Sequence, residues 1–136
     1  MTALAALVLV FDLSAANSEP NLEKRSRLAL VQAGKSLEAA REAYRAGGTQ
    51  IVSSGLGEVV QAVELADTSL KQTGKNPSRS PKHFKHAEKE IRALVKKLDA
   101  FAHEMDAADR AAIDPARERL LRIHDRILLG ILGKKK

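Results

Sequence analysis

His83, His86 and Glu90 are separated by three and four residues, so a helix through them places two imidazoles and a carboxylate on one face. Neutral imidazoles at that spacing can hold zinc or copper. Lys82, Lys85 and Lys89 interleave with them and repel a cation. We therefore expect no metal and no other cofactor, and take His83, His86 and Glu90 as the residues to watch should a metal bind. His103 and His124 each stand alone at the edge of an apolar stripe, where a boundary role suffices. A di-iron centre needs Glu three residues before His. Ser80, His83, Ala100 and Leu121 occupy those places instead.

Other short patterns fail in the same checkable way. His103-Glu104 begins like a zinc-protease motif, but Ala107 stands where the second histidine belongs. Thr73-Gly74-Lys75 has Ser69 at the upstream glycine position of a phosphate loop, and Asn76 follows the lysine. Ser53-Ser54-Gly55 lacks the preceding glycine of a nucleophile elbow and lies within a helical pattern. Asp106, Asp109 and Asp114 cluster where helices start and stop, a place in which Asp has a capping role. With no cysteine, disulfides, thiolate metal sites and thiol catalysis are excluded. The reading is that of a protein that is not an enzyme.

Charge is the positive signal. Lysine and arginine number 23 against 17 acidic residues, a formal net charge of +6. The excess is concentrated in residues 71–97 and 117–136. Lys75, Arg79, Lys82, Lys85 and Lys89 are the polyanion-binding candidates, and an anionic polymer or surface is the natural partner. Four aromatic residues and no tryptophan leave few platforms for base stacking. Leu121, Leu128 and Leu132 widen the apolar face of the last segment, followed by Lys134, Lys135 and Lys136. These leucines are the partner-docking candidates, toward an unknown protein, a membrane surface or a second copy of the chain.

The elements that must position these residues read as helices. Leu30, Ala33, Leu37, Ala40 and Tyr44 form one stripe, with Ser18 or Glu19 near the cap, Pro20 in the first turn and Gly47-Gly48 as the stop. Val52, Leu56, Val59, Val63, Ala66 and Leu70 form a second, with Thr49 as cap. Gly55 and Gly57 fall inside it, permitting either close helix contact or a break. Residues 71–82 are the long connection. Phe84, Ala87, Ile91, Leu94, Leu98, Phe101 and Met105 form the third stripe; Leu120, Ile123, Ile127 and Ile131 form the fourth, with Asp114-Pro115 as cap and first helical position. The expected fold is all-α, an antiparallel four-helix bundle made of two helical hairpins over residues 17–133, with a basic tail at 134–136.

Ala3 to Phe11 is continuously apolar, too short to span a bilayer and suited to the apolar region of a signal peptide. Ser14-Ala15-Ala16 supplies small residues for a cut after Ala16, so residues 1–16 are expected to be a signal peptide. Met1 and Thr2 lack the usual positive charge, and a short buried first helix or an apolar arm on the bundle is the other reading of this segment.

The stretches Gly74-Lys75-Asn76-Pro77-Ser78-Arg79-Ser80-Pro81-Lys82-His83-Phe84-Lys85-His86-Ala87-Glu88 and Asp125-Arg126-Ile127-Leu128-Leu129-Gly130-Ile131-Leu132-Gly133 resemble an uncharacterised group of short, exported, helical bacterial proteins. The resemblance implies export and helicity over residues 22–133 and carries no activity. Together these readings lead to a periplasmic or secreted binding or scaffolding module, with an anionic envelope component as partner. The alternative is a cytoplasmic basic protein that binds nucleic acid non-specifically through the same residues.

Overall fold

In the computed structural model, which describes residues 13–133, every regular element is helical. A short α1 (Ser14–Ser18) precedes four long helices: α2 (Leu22–Arg45), α3 (Thr49–Gln72), α4 (Lys82–Glu104) and α5 (Asp114–Ile131). A single 3-10 turn, Arg110–Ile113, leads into α5. Of the expected signal peptide at 1–16, residues 1–12 lie outside the described residues and Ser14-Ala15-Ala16 belong to α1; the tail at 134–136 also lies outside them.

Helix starts differ in detail from the sequence signals. Asn21, rather than Ser18 or Glu19, caps α2, its Oδ1 accepting the Lys24 N–H at 2.9 Å. Pro20 therefore precedes the cap instead of lying in the first turn. Glu19 still contributes: its carboxylate accepts the Asn21 N–H at 3.0 Å, and its carbonyl accepts from Arg25 Nε at 3.0 Å. Thr49 is the first helical residue of α3, after Gly48, and makes no cap bond. Likewise Asp114 opens α5 without a side-chain cap, because the 3-10 turn already supplies the preceding turn. Helix α2 ends where the glycine pair predicts: Gly47 takes φ +88°, and Gly48 N–H reaches the Ala43 carbonyl at 2.8 Å.

All four stripes turn inward and share one core. Leu37, Val59, Val63, Ile91, Leu98, Phe101, Leu120 and Ile123 are wholly buried within it. Because only four aromatics are present, aliphatic and small side chains fill this volume. The small ones decide how α2 meets α3. A Cβ on Gly55 would stand 3.0 Å from the Ala40 Cβ, so α3 runs unbroken and the glycine serves close helix contact. Gly57, two residues on, faces open space.

Ion pairs tie the remaining helices at the rim of the core. Arg41 and Arg45 of α2 converge on Glu104 at the end of α4. Arg117 binds Asp99 at 2.7 Å, and Arg119 binds Glu64 at 2.8 Å. Asp67 is buried on α3, where it accepts from Arg126 and faces Lys71 at 3.4 Å. The Tyr44 ring meets Phe101 edge-on at 5.9 Å. Its hydroxyl donates to Asp109 Oδ2 and accepts the Asp106 N–H, both at 2.9 Å. Ala16 of α1 is buried, and Leu13 packs against the same core.

Candidate functional site

The outer face of α4 is set by its inner one. With Phe84, Ala87, Ile91, Leu94, Leu98 and Phe101 committed to the core, a helical period carries Lys82, Lys85, Lys89, Arg92 and Lys96 to the solvent side in one row. Lys82, Lys85, Lys89 and Lys96 are exposed, with no carboxylate at ion-pair distance among the described residues. Arg92 differs: its Nε donates to Glu88 Oε2 at 2.9 Å, one turn back. Arg79 lies at the end of the connection, also exposed and without a carboxylate partner among the described residues.

Of the five expected polyanion contacts, Lys75 is the exception. Its Nζ donates to Glu23 Oε2 at 2.7 Å, so its charge is committed to joining the connection to α2. The hydrogen bond from Lys75 holds the Glu23 carboxyl below its ordinary range; burial opposes it, and His83, Lys75 and Arg27 add to it. Lys96 joins the row instead. Attention to the basic connection and the start of this helix misses Lys96, although it continues the three-and-four spacing beyond Lys89 and Arg92.

His83, His86 and Glu90 are not brought together as a metal site. His83 turns toward α2, with Nδ1 3.4 Å from Arg27 Nη2 and Nε2 3.5 Å from Glu23 Oε1. Burial lowers the His83 pKa; Glu23 opposes this, while Arg27, Lys82 and Lys75 reinforce it. Among the described residues, no group of three or more His, Asp or Glu is disposed to hold a metal ion.

The leucines of α5 divide. Leu121 is half-buried and packs against the core, Leu128 is half-buried, and Leu132 is 58% exposed. His124 anchors this helix to α4, with Nε2 2.7 Å from Glu88 Oε2 and Nδ1 3.0 Å from Asp125 Oδ1. Burial pushes the Glu88 carboxyl up, but hydrogen bonds from His124 and Arg92, with their charges, outweigh it and hold the group low. The connection closes over the end of α5: a Cβ on Gly130 would meet Pro77 Cγ at 3.2 Å, and one on Gly133 would meet Ser78 Cβ at 3.6 Å.

Concavities lie elsewhere on the described surface. One, of about 240 Å³, is lined by residues including Tyr44, Thr49, Ser53, Met105 and Asp109. Another, on the outside of α5, is lined by Arg119, Arg122, Asp125, Arg126 and Leu129. Its arginines face carboxylates: Arg119 faces Glu64, Arg126 faces Asp67, and Arg122 lies 4.0 Å from Glu118. The α4 row is therefore a run of cations left available for a partner; Lys35 on α2 and Lys97 on α4 are likewise exposed and without a carboxylate at ion-pair distance among the described residues. No protein family, curated protein or solved structure matches this chain.

Proposed function

We propose that this chain is a non-enzymatic exported helical-bundle protein that binds an anionic component of the bacterial periplasm or envelope through the outer face of α4. The observation that carries the reading is the row Arg79, Lys82, Lys85, Lys89 and Lys96, exposed and without carboxylate partners among the described residues. Like charges held together on a rigid helix repel one another and are relieved by an anionic partner. The scaffold is an antiparallel four-helix bundle of two hairpins. Two bonds support this arrangement for α4 and α5: the earlier α4 residue, Glu88, meets the later α5 residue, His124, whereas the later Asp99 meets the earlier Arg117. For α2 and α3, the tight Gly47-Gly48 turn with Ala40 opposite Gly55 supports the same sense.

A binding role agrees with the structural use of an aspartate and a histidine that the sequence sets aside as non-catalytic. The Asp109 carboxylate accepts from the Tyr44 hydroxyl, and His124 joins α5 to α4. Export is supported by the apolar run Ala3 to Phe11 with Ser14-Ala15-Ala16. A cut after Ala16 divides α1, gives up the buried Ala16 and the core contact of Leu13, and leaves the Asn21 cap and all four long helices intact.

Two experiments test the proposal. Intact mass and N-terminal sequence of the native chain from fractionated cells should give a protein beginning at Asn17 outside the cytoplasm. A cytoplasmic chain retaining Leu4 to Phe11 refutes export and makes nucleic acid the next probe. Binding to inorganic polyphosphate should weaken steeply as salt rises and fall further in the Lys82→Gln, Lys85→Gln, Lys89→Gln variant. Salt-independent binding, or none, refutes the anionic-partner reading.

A further inference from the structure

We propose that the end of the α4–α5 face nearest the connection docks on an anionic phospholipid bilayer, with Leu132 and Leu128 entering the headgroup boundary and Arg79, Lys82 and Lys85 on the lipid phosphates. The inference rests on the reading above and names the chemistry of its partner. It starts from Leu132, which at 58% exposure is matched among the described large aliphatic side chains only by Val31. Leu132 closes α5, its N–H reaching the Leu128 carbonyl at 3.0 Å. Leu128 lies one turn earlier on the same side, half-buried. The leucine row thus runs from core-packed at Leu121 to open at Leu132.

The bond between His124 and Glu88 sets what stands beside these leucines. Leu128 lies one turn after His124 and Lys85 three residues before Glu88, so the opposed directions of α5 and α4 bring them level. Pro77 against Gly130 and Ser78 against Gly133 carry Arg79 to the same end, and Lys82 opens α4 there. Of the carboxylates near this end, Glu88 and Asp125 are engaged by His124, and Glu23 by Lys75. An exposed leucine bordered by cations without carboxylates complements a bilayer carrying negative headgroups over an apolar interior; a soluble polyanion satisfies the cations alone. No described helix is long and apolar enough to cross a membrane, so the contact belongs to the surface.

The test is co-sedimentation of the full chain with vesicles of phosphatidylglycerol mixed with phosphatidylcholine, beside vesicles of phosphatidylcholine alone and, in parallel, binding to inorganic polyphosphate. Binding should require phosphatidylglycerol. Lys82→Gln with Lys85→Gln should lower partitioning about 25-fold, from roughly five-fold per charge near an anionic surface. Leu132→Asn should lower vesicle partitioning about ten-fold and leave polyphosphate binding unchanged. Leu132 is exposed, so this variant is expected to keep its helical circular dichroism. Vesicle binding indifferent to Leu132→Asn, or equal on neutral vesicles, overturns the bilayer inference while polyphosphate binding upholds the anionic-partner reading. Loss of binding to both probes overturns the two together.

Discussion

The same substitution two residues apart in α3 should change stability in opposite directions. Gly57→Ala adds a methyl group where nothing lies within 4 Å, so it should gain the helix propensity of Ala over Gly, about 1 kcal/mol. Gly55→Ala gains the same propensity but sets its Cβ 3.0 Å from the Ala40 Cβ, with Ala40 Cα at 3.7 Å. Carbon atoms prefer roughly 3.5 to 4.0 Å, and the Ala40 methyl is fixed to the α2 backbone with no torsion to relieve it. The helices must separate or tilt, and overpacking of this kind costs about 1–3 kcal/mol. The net result for Gly55→Ala is a loss of about 1 kcal/mol after the propensity gain is subtracted. For a chain of this length each change should move the thermal midpoint by roughly 3–5 °C, upward for Gly57→Ala and downward for Gly55→Ala. Ala40→Gly in the Gly55→Ala background should recover some of the loss, because it removes the methyl that was struck. Thermal and urea unfolding followed by circular dichroism read all three. Equal shifts of the same sign at both glycines would refute the close α2–α3 contact.

Three further expectations use the same unfolding assays. Tyr44→Phe removes the hydroxyl that donates to Asp109 and accepts from the Asp106 N–H, and should cost about 1 kcal/mol; no measurable loss sets aside this tie between α2 and the turn after α4. Asn21→Ala deletes the acceptor of the Lys24 N–H and should cost about 1 kcal/mol, whereas Ser18→Ala should be neutral; the reverse ranking restores the cap to Ser18. Glu88 is held below its ordinary value of 4.5, so its contribution to stability is full above the ordinary carboxylate range and is lost as pH falls through the depressed native value. Glu88→Gln should therefore flatten the acid limb of the stability profile, and an unchanged limb removes Glu88 from that account.

What is legible in the sequence is what a single helix determines by itself. The stripes through Leu37, Val59, Ile91 and Leu120 turn inward as their spacing predicts, since burial of a spaced apolar row needs no knowledge of the neighbouring helix. The stop at Gly47 is legible for a similar reason, its positive φ being a local demand. Caps are less so: Ser18, Glu19, Pro20 and Asn21 are all plausible by type, and only backbone direction selects Asn21. Contacts between helices are not legible at all. Nothing local distinguishes Gly55 from Gly57, or shows that Lys75 meets Glu23 and Tyr44 meets Asp109 across more than fifty residues. The candidate face follows the same division, its lysine spacing visible in advance and the withdrawal of Lys75 from it visible only in the fold.

The seating of Pro77 on Gly130 and Ser78 on Gly133 makes the middle of the chain a clasp on the last turns of α5. Helix ends ordinarily open first and most often. Here the end of α5 cannot lift away without displacing the stretch that also carries Lys75 to Glu23 on α2. Amide exchange near Leu132 is thereby coupled to exchange in residues 76–80, and the two segments are expected to open as one unit instead of fraying independently. When that unit opens, Arg79 leaves the basic row at the same moment as Leu132 leaves its place beside it, while Lys82, Lys85, Lys89 and Lys96 keep the spacing that α4 gives them.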